Sequence, residues 1–289
     1  MADTAGMQDI RGLNIDKTVK GFADSMFVFK QLCSVESSSS WQERFFREDS
    51  AVLTNAGNPI EGVPRLSVFP HVEASWTQVD AYHKKHGAEE RISHEDVLSN
   101  SINTIARVLF KVAQAVTSSV DAEIWDVITA NRDGTTTNNV TIAAGDEWDS
   151  NTEANRDPIQ DILNAKKLIY EDNYNPDSNG YLCLNPKDYA NLLGNANIRN
   201  AGQFYTSDVT RNGKVGFLLG LQVLVSNNVT ADYAAVVVGK LAATWKQLDA
   251  LQTKTIEDAG IGVTIRSWEI GVAQLVNPNA VCLITNTAK

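Results

Sequence analysis

The spacing of hydrophobic positions changes along this chain, and each change marks a predicted element. From Ile102 onward they recur in steps of three and four, at Ile102, Ile105, Leu109, Val112, Val116, Val120, Ile124 and Ile128. Such steps put them on one stripe of an amphipathic helix. Asn103, Arg107, Lys111, Gln114 and Asp121 fall off that stripe. Ser93-His94-Glu95-Asp96 supplies the start, with Ser93 as N-cap and two carboxylates near the positive helix end. Thr117-Ser118-Ser119, weak helix formers, mark an expected kink. Read as one helix, residues 93–128 would span roughly 54 Å at ~1.5 Å per residue. A compact chain of this size would be about 49 Å across, so an elongated subunit is expected.

Ahead of the helix the period drops to two. Val72, Ala74 and Trp76 alternate with Glu73, Ser75 and Thr77, as in a half-buried strand. Trp41–Leu53 and Leu66–Tyr82 read as the legs of a long hairpin, with turn chemistry in Asn55-Ala56-Gly57-Asn58-Pro59 and Gly62-Val63-Pro64. A two-stranded ribbon is marginal alone in water. Residues 1–40 are sparsely apolar and end in Glu36-Ser37-Ser38-Ser39-Ser40. Apart from a short helix over 17–32, they read as an extended arm that needs a partner surface to offset its ordering entropy.

After the long helix, residues 131–156 are polar and loop-like. Asp157-Pro158 opens a second helix, cap followed by N1 proline, with Ile159, Ile162, Leu163 and Ile169 as its buried face. A turn over 175–180 leads to the buried strand Tyr181–Leu184. Asn185-Pro186 opens a third helix, with Tyr189, Leu192 and Leu193 inward and Gly194 as its stop. Strands follow over Phe217–Val225 and Ala234–Val238. Val263–Ile270 and Ala280–Ile284 are two more, expected to cover the stripe of the long helix.

Composition narrows the function. Of 289 residues 43% are hydrophobic, ordinary for a globular chain, and no run approaches the ~18 apolar residues of a membrane span. Met1–Arg11 lacks the pattern of a secretory signal. The three cysteines, Cys33, Cys183 and Cys282, are scattered and odd in number, which fits reduced thiols. A net charge of −10 argues against a sequence-reading DNA binder, though not against a container whose wall does not adhere to nucleic acid.

No catalytic constellation emerges. His83 and His86 lack further ligands at zinc spacing. Asn175-Asp177-Asn179-Gly180 mimics the start of a calcium loop, but Pro186 stands where a bidentate glutamate is required. Phosphate-loop, dinucleotide and nucleophile-elbow motifs are missing. Glu89-Glu90 and Asp146-Glu147-Asp149 read as solvated charge, and Trp76, Trp125, Trp245 and Trp268 as core or subunit-interface anchors. Neither an enzyme nor a cofactor is expected.

Four stretches carry a resemblance. They are Asp157-Pro158-Ile159-Gln160-Asp161-Ile162-Leu163-Asn164-Ala165 with Asn173-Tyr174-Asn175-Pro176-Asp177, then Leu184-Asn185-Pro186-Lys187-Asp188-Tyr189, then Leu219-Gly220-Leu221-Gln222-Val223 into Val225-Ser226-Asn227-Asn228, then Val276-Asn277-Pro278-Asn279-Ala280-Val281. In this order, behind a hairpin and a long helix, they resemble the major capsid proteins of tailed bacterial and archaeal viruses. The resemblance implies an α+β fold of the Hong-Kong-97 type, with an N-terminal arm (1–40), an extended hairpin loop (41–75), a peripheral domain with a spine helix (76–130 and 262–289) and an axial domain (131–261). It implies a shell of pentamers and hexamers around double-stranded DNA bound without sequence preference, with portal and decoration proteins as partners. Hairpin contacts between subunits are expected at Phe45, Phe46, Leu53, Leu66 and Phe69.

Two departures from the family pattern carry expectations. Residues 41–70 contain no lysine, so the isopeptide weld of some members is not expected. The long helix starts near residue 93, which leaves little room for a propeptide and implies a separate scaffolding protein. The alternatives are an encapsulin-like nanocompartment shell and, from another class, a soluble α+β enzyme or ligand-binding protein.

Overall fold

The computed structural model describes residues 19, 28–48, 62–69, 76–95, 102–129, 137–196, 198 and 216–289. In chain order the elements are β1 (Ser34–Ser37), β2 (Gln42–Glu48), β3 (Trp76–Tyr82), β4 (Lys84–Ser93), α1 (Ile102–Ile128), β5 (Asn138–Thr141), α2 (Pro158–Glu171), α3 (Pro176–Asn179), β6 (Gly180–Leu184), α4 (Pro186–Gly194), β7 (Phe217–Leu218), β8 (Leu221–Val225), β9 (Tyr233–Val238), β10 (Ala243–Asp258), β11 (Gly262–Leu275) and β12 (Val281–Thr285). They fall into two compact units. One comprises Met1–Glu43, Ala81–Val127 and Thr244–Gln274, the other Arg44–Asp80, Ile128–Ala243 and Leu275–Lys289.

The first unit lays α1 on a four-stranded sheet of order β1-β10-β11-β4. The predicted stripe is buried at Leu109, Val112, Val116, Val120, Ile124 and Ile128. Its core joins Leu109, Ala113 and Val116 to Ile92 of β4, Leu251 of β10 and Ile265 of β11. α1 runs unbroken through Thr117-Ser118-Ser119. Thr117 donates its hydroxyl back to the Ala113 carbonyl at 3.0 Å, so it stays within the helix at the expected kink. Ser93 ends β4, and His94 and Glu95 are helical, as expected. Residues 96–101 lie outside the described residues.

Of this sheet only β11 was predicted as a strand; β1, β4 and β10 were not. β4 pairs antiparallel with β11 over ten residue pairs, from Gly262↔Ser93 to Gly271↔Lys84. Its sequence, Lys84-Lys85-His86-Gly87-Ala88-Glu89-Glu90-Arg91-Ile92-Ser93, conceals the strand, because Lys85, Glu89 and Arg91 are exposed and only His86 and Ile92 are buried. β10 extends for sixteen residues and also escaped notice. At Gly271 a Cβ would come within 2.2 Å of the Trp245 ring, so the glycine makes room for that fully buried indole.

The expected arm is corrected over part of its length. Residues 28–37 belong to the first unit of their own chain. Phe29, Leu32 and Cys33 are buried, and β1 pairs parallel with β10 from Ser34↔Thr244 to Ser37↔Gln247. Apart from Val19, residues 1–27 lie outside the described residues.

The second unit is built on a six-stranded sheet of order β5-β12-β9-β6-β8-β7. β12 is antiparallel to β9 and parallel to β5. It was expected to cover the long helix; its buried run Val281–Ile284 instead fills this sheet. The predicted loop 131–156 contains β5 and the buried Trp148, whose Nε1 donates to Asp161 at 2.9 Å. On α2, Ile162 and Ile169 are fully buried, and Asp157 caps the helix by accepting from Gln160 N at 3.2 Å. Leu163, one step round the helix from Ile162, is 40% exposed rather than inward. Leu192 of α4 is buried, with Tyr189 and Leu193 half-buried.

Candidate assembly interface

The four stretches singled out in the sequence are joints of the second unit. Asn185 accepts from Lys187 N at 3.0 Å and donates Nδ2 to the Val229 carbonyl at 2.9 Å, so one side chain caps α4 and ties it to a distant turn. Asn175 accepts from Asp177 N at 3.0 Å to start α3. Lys166, nearly buried on α2, donates to Asp177 at 2.5 Å and to the Leu219 carbonyl at 2.8 Å. The Lys166 bond holds the Asp177 carboxyl below its usual pKa, and the Tyr170 hydroxyl adds to the effect. Leu219 (φ 51) and Gly220 (φ 81) form the tight turn between β7 and β8, where two successive positive φ values are required. Asn277 donates Nδ2 to the Leu241 carbonyl at 2.9 Å, and the Val276 and Asn277 amides reach the Ala242 carbonyl at 3.0 and 3.1 Å. These residues hold turns together.

Among the described residues, the β2–β3 ribbon and the segment 62–69 between its strands carry a group of exposed apolar side chains. β2 is anchored at one end. Glu48 N donates to the Val276 carbonyl at 3.0 Å, and buried Arg47 donates Nε to the Leu275 carbonyl at 3.2 Å. The Arg47 guanidinium also lies over the Phe45 ring, 5.9 Å from its centroid. Tyr174 donates its hydroxyl to Glu48 at 2.9 Å; burial first, and the Glu48 carboxylate second, push the Tyr174 pKa up. Across the ribbon Arg44 pairs with Asp80 at 2.9 Å in solvent.

Beyond the anchor the side chains face water. Phe46 and Trp76 are each 61% exposed and share a shallow hollow of ≈ 320 Å3 with Glu48, Val276 and Asn277. Trp76 was expected on a buried face. A two-stranded ribbon offers no layer of its own to cover it, while Val72 and Ala74 lie outside the described residues. Between the strands, residues 62–69 turn through a bond from Ser67 N to the Pro64 carbonyl at 3.1 Å and present Leu66, Val68 and Phe69. The returning leg was predicted to begin at Leu66; instead Leu66 has a φ of 62 and no strand pairing, and β3 begins at Trp76. Leu66, Val68 and Phe69 are 108%, 90% and 81% exposed, far beyond the scattered single apolar residues of an ordinary surface.

Of the residues expected to make contacts, Phe46, Leu66 and Phe69 are thus exposed on one segment, Phe45 is half-buried against Arg47, and Leu53 lies outside the described residues. Val68 was not among those expected contacts, whereas Trp76 was read as a core or subunit-interface anchor. Val68 is one residue from Phe69, and a contiguous apolar count over 66–69 would have included it.

Two of the histidines, His83 and His86, make hydrogen bonds within the first unit. His83 shares a hydrogen with the Ser38 hydroxyl at 3.1 Å, and His86 with that of Ser119 at 2.8 Å. All three cysteines are buried and free. Burial pushes the thiols of Cys33 and Cys282 up to about 12. Among the described residues no helix is long and apolar enough to cross a membrane.

The model of one family, described as phage capsid protein, matches residues 76–284 of this chain. The chain belongs to the phage capsid protein family. Solved structures share the fold of this capsid protein at low identity. A virus-like particle protein from Pyrococcus furiosus aligns with TM-score 0.65 at 12% identity, covering 95% of this chain and 99% of that one. A chain of Mycobacterium phage Che8 aligns with TM-score 0.65 at 19% identity over 91% and 92%. The capsid of cyanophage P-SCSP1u gives TM-score 0.64 at 15% identity over 90% and 88%. No curated protein is matched at a significant level. The capsid protein is therefore a major capsid protein of mixed α+β fold that assembles with copies of itself.

Proposed function

We propose that this capsid protein forms the icosahedral shell around the double-stranded DNA of a tailed virus. It acts by assembly and not by catalysis. The observation that carries the reading is the family match over 76–284, together with near-complete overlap with the Che8 chain. On this reading the fold is of the Hong-Kong-97 type. With the bounds drawn at the two compact units and not where the sequence suggested them, residues 81–127 with 244–274 act as the peripheral domain, with α1 as spine, and 128–243 with 275–289 as the axial domain at the centre of pentamers and hexamers. Residues 1–27 act as the arm and 41–75 as the extended loop, and Phe45, Phe46, Leu53, Leu66 and Phe69 contact neighbouring subunits. Apolar burial, at roughly 25 cal/mol per Å2 before the costs of association, supplies the drive. A scaffolding protein, a portal and decoration proteins complete the particle.

A second reading is favoured by one observation. The Pyrococcus furiosus particle protein overlaps almost completely with this chain, and a shell of the same fold could enclose protein cargo. The contents decide. Particles from cells carrying the gene should yield, after nuclease treatment, double-stranded DNA of one defined length. Shells that hold protein and no protected DNA would overturn the viral reading and leave the compartment.

A further inference from the structure

The ribbon of the second unit carries both a knob and a socket. The knob is the segment 62–69, whose Leu66, Val68 and Phe69 side chains stand almost wholly in solvent. A positive φ at Leu66, a residue that rarely adopts it, turns the chain so that Leu66 is fully exposed. The socket is the hollow of ≈ 320 Å3 beside the anchor of β2, walled by Phe46, Trp76 and Val276 with Glu48 at its edge. A volume of this size admits one or two apolar side chains, not a folded domain.

Charge matches across the two. Arg65, next to Leu66, is exposed, and no ion pair of it is found among the described residues. Glu48 uses one oxygen, Oε2, for the Tyr174 hydroxyl, which leaves Oε1 available to a cation. The two features differ in shape and sign. Pairing them between copies is therefore a head-to-tail contact, which closes into a ring when the rotation allows.

We propose that Leu66 and Phe69 of one copy seat in the Phe46–Trp76–Val276 hollow of the next, with Arg65 set against its Glu48. This rests on the shell reading and goes further by naming the acceptor. The native thiols are buried, so engineered surface cysteines will report cleanly. Leu66→Cys chains and Trp76→Cys chains, co-assembled and mildly oxidised, should give a covalent dimer as the main product, lost on reduction. Leu66→Cys with Phe46→Cys serves as a second pair, should the first assemble poorly. Shells that form yet give no dimer with either pair overturn the knob-and-socket contact and leave the shell reading intact. If even the unaltered chain forms no shells, it is the shell reading that fails.

Discussion

Asp121, in the last third of α1, accepts the backbone N–H of Phe29 at 3.1 Å on one carboxylate oxygen and that of Val28 at 3.0 Å on the other. It is buried beside the stacked rings of Phe29 and Trp125, whose centroids are 5.7 Å apart. The backbone at Val28 and Phe29 is thereby held by a carboxylate more than ninety positions away.

Asp121→Ala would strand two backbone donors. Each unmet buried donor costs about 1–3 kcal/mol, so the unassembled chain should lose about 3 kcal/mol of stability. The Val28 and Phe29 amides should exchange hydrogen faster than those of α1. Unchanged exchange at 28 and 29 would show that the cap is dispensable.

Asp188 gives a pH dependence of defined sign. It is 1% exposed and accepts the Thr287 hydroxyl at 3.0 Å, while its Oδ1 finds no partner among the described residues. Burial, the largest cause, raises its pKa from 3.8 to about 6. A carboxyl raised on folding contributes stability that is full below the unfolded value, near 4, and is lost as pH climbs through about 6. Asp188→Asn cannot ionise. It should gain on the parent by on the order of 2 kcal/mol between pH 4 and pH 7. A difference that stays flat across that window, in urea melts at several pH values, contradicts the assignment.

Lys30, half-buried, pairs with the buried Glu269 at 2.6 Å, and Trp245 Nε1 and Gln247 Nε2 donate to the same Glu269 oxygen at 3.1 and 2.9 Å. Glu269 is fully buried, so Lys30→Met leaves a charge without its cation and should cost about 3–5 kcal/mol. Adding Glu269→Gln should recover most of that loss. If the double variant is no better than the single one, the charge on Glu269 is not what Lys30 compensates.

The sequence made some of this legible and hid the rest for definite reasons. The stripe of α1 and the Asp157 and Asn185 caps are local signals, and local geometry decides them. β12 was legible as a strand, but not its sheet, because a continuous apolar run does not say which layer it joins. Asp121 was read as off the stripe; its burial depends on backbone donors far away in sequence, which no periodicity encodes. β4 failed for a related reason, since half of its ladder faces water and carries charges. The apolar hairpin residues were visible as composition, but their exposure follows from a two-stranded ribbon having no covering layer.

Phe46→Ser, Leu66→Ser and Phe69→Ser remove side chains that are 61%, 108% and 81% exposed. Surface changes of this kind usually move folding by less than about 0.5 kcal/mol. Melting of the unassembled variants should therefore match the parent while particle yield falls sharply. Variants that unfold early would show these residues to be part of the fold and not of the interface.

The most direct test is to express residues 1–289 with a co-encoded scaffold and view the product by electron microscopy beside light scattering. Closed shells or ring-shaped capsomers are the predicted result. A well-behaved monomer that persists at high concentration with scaffold present would contradict it.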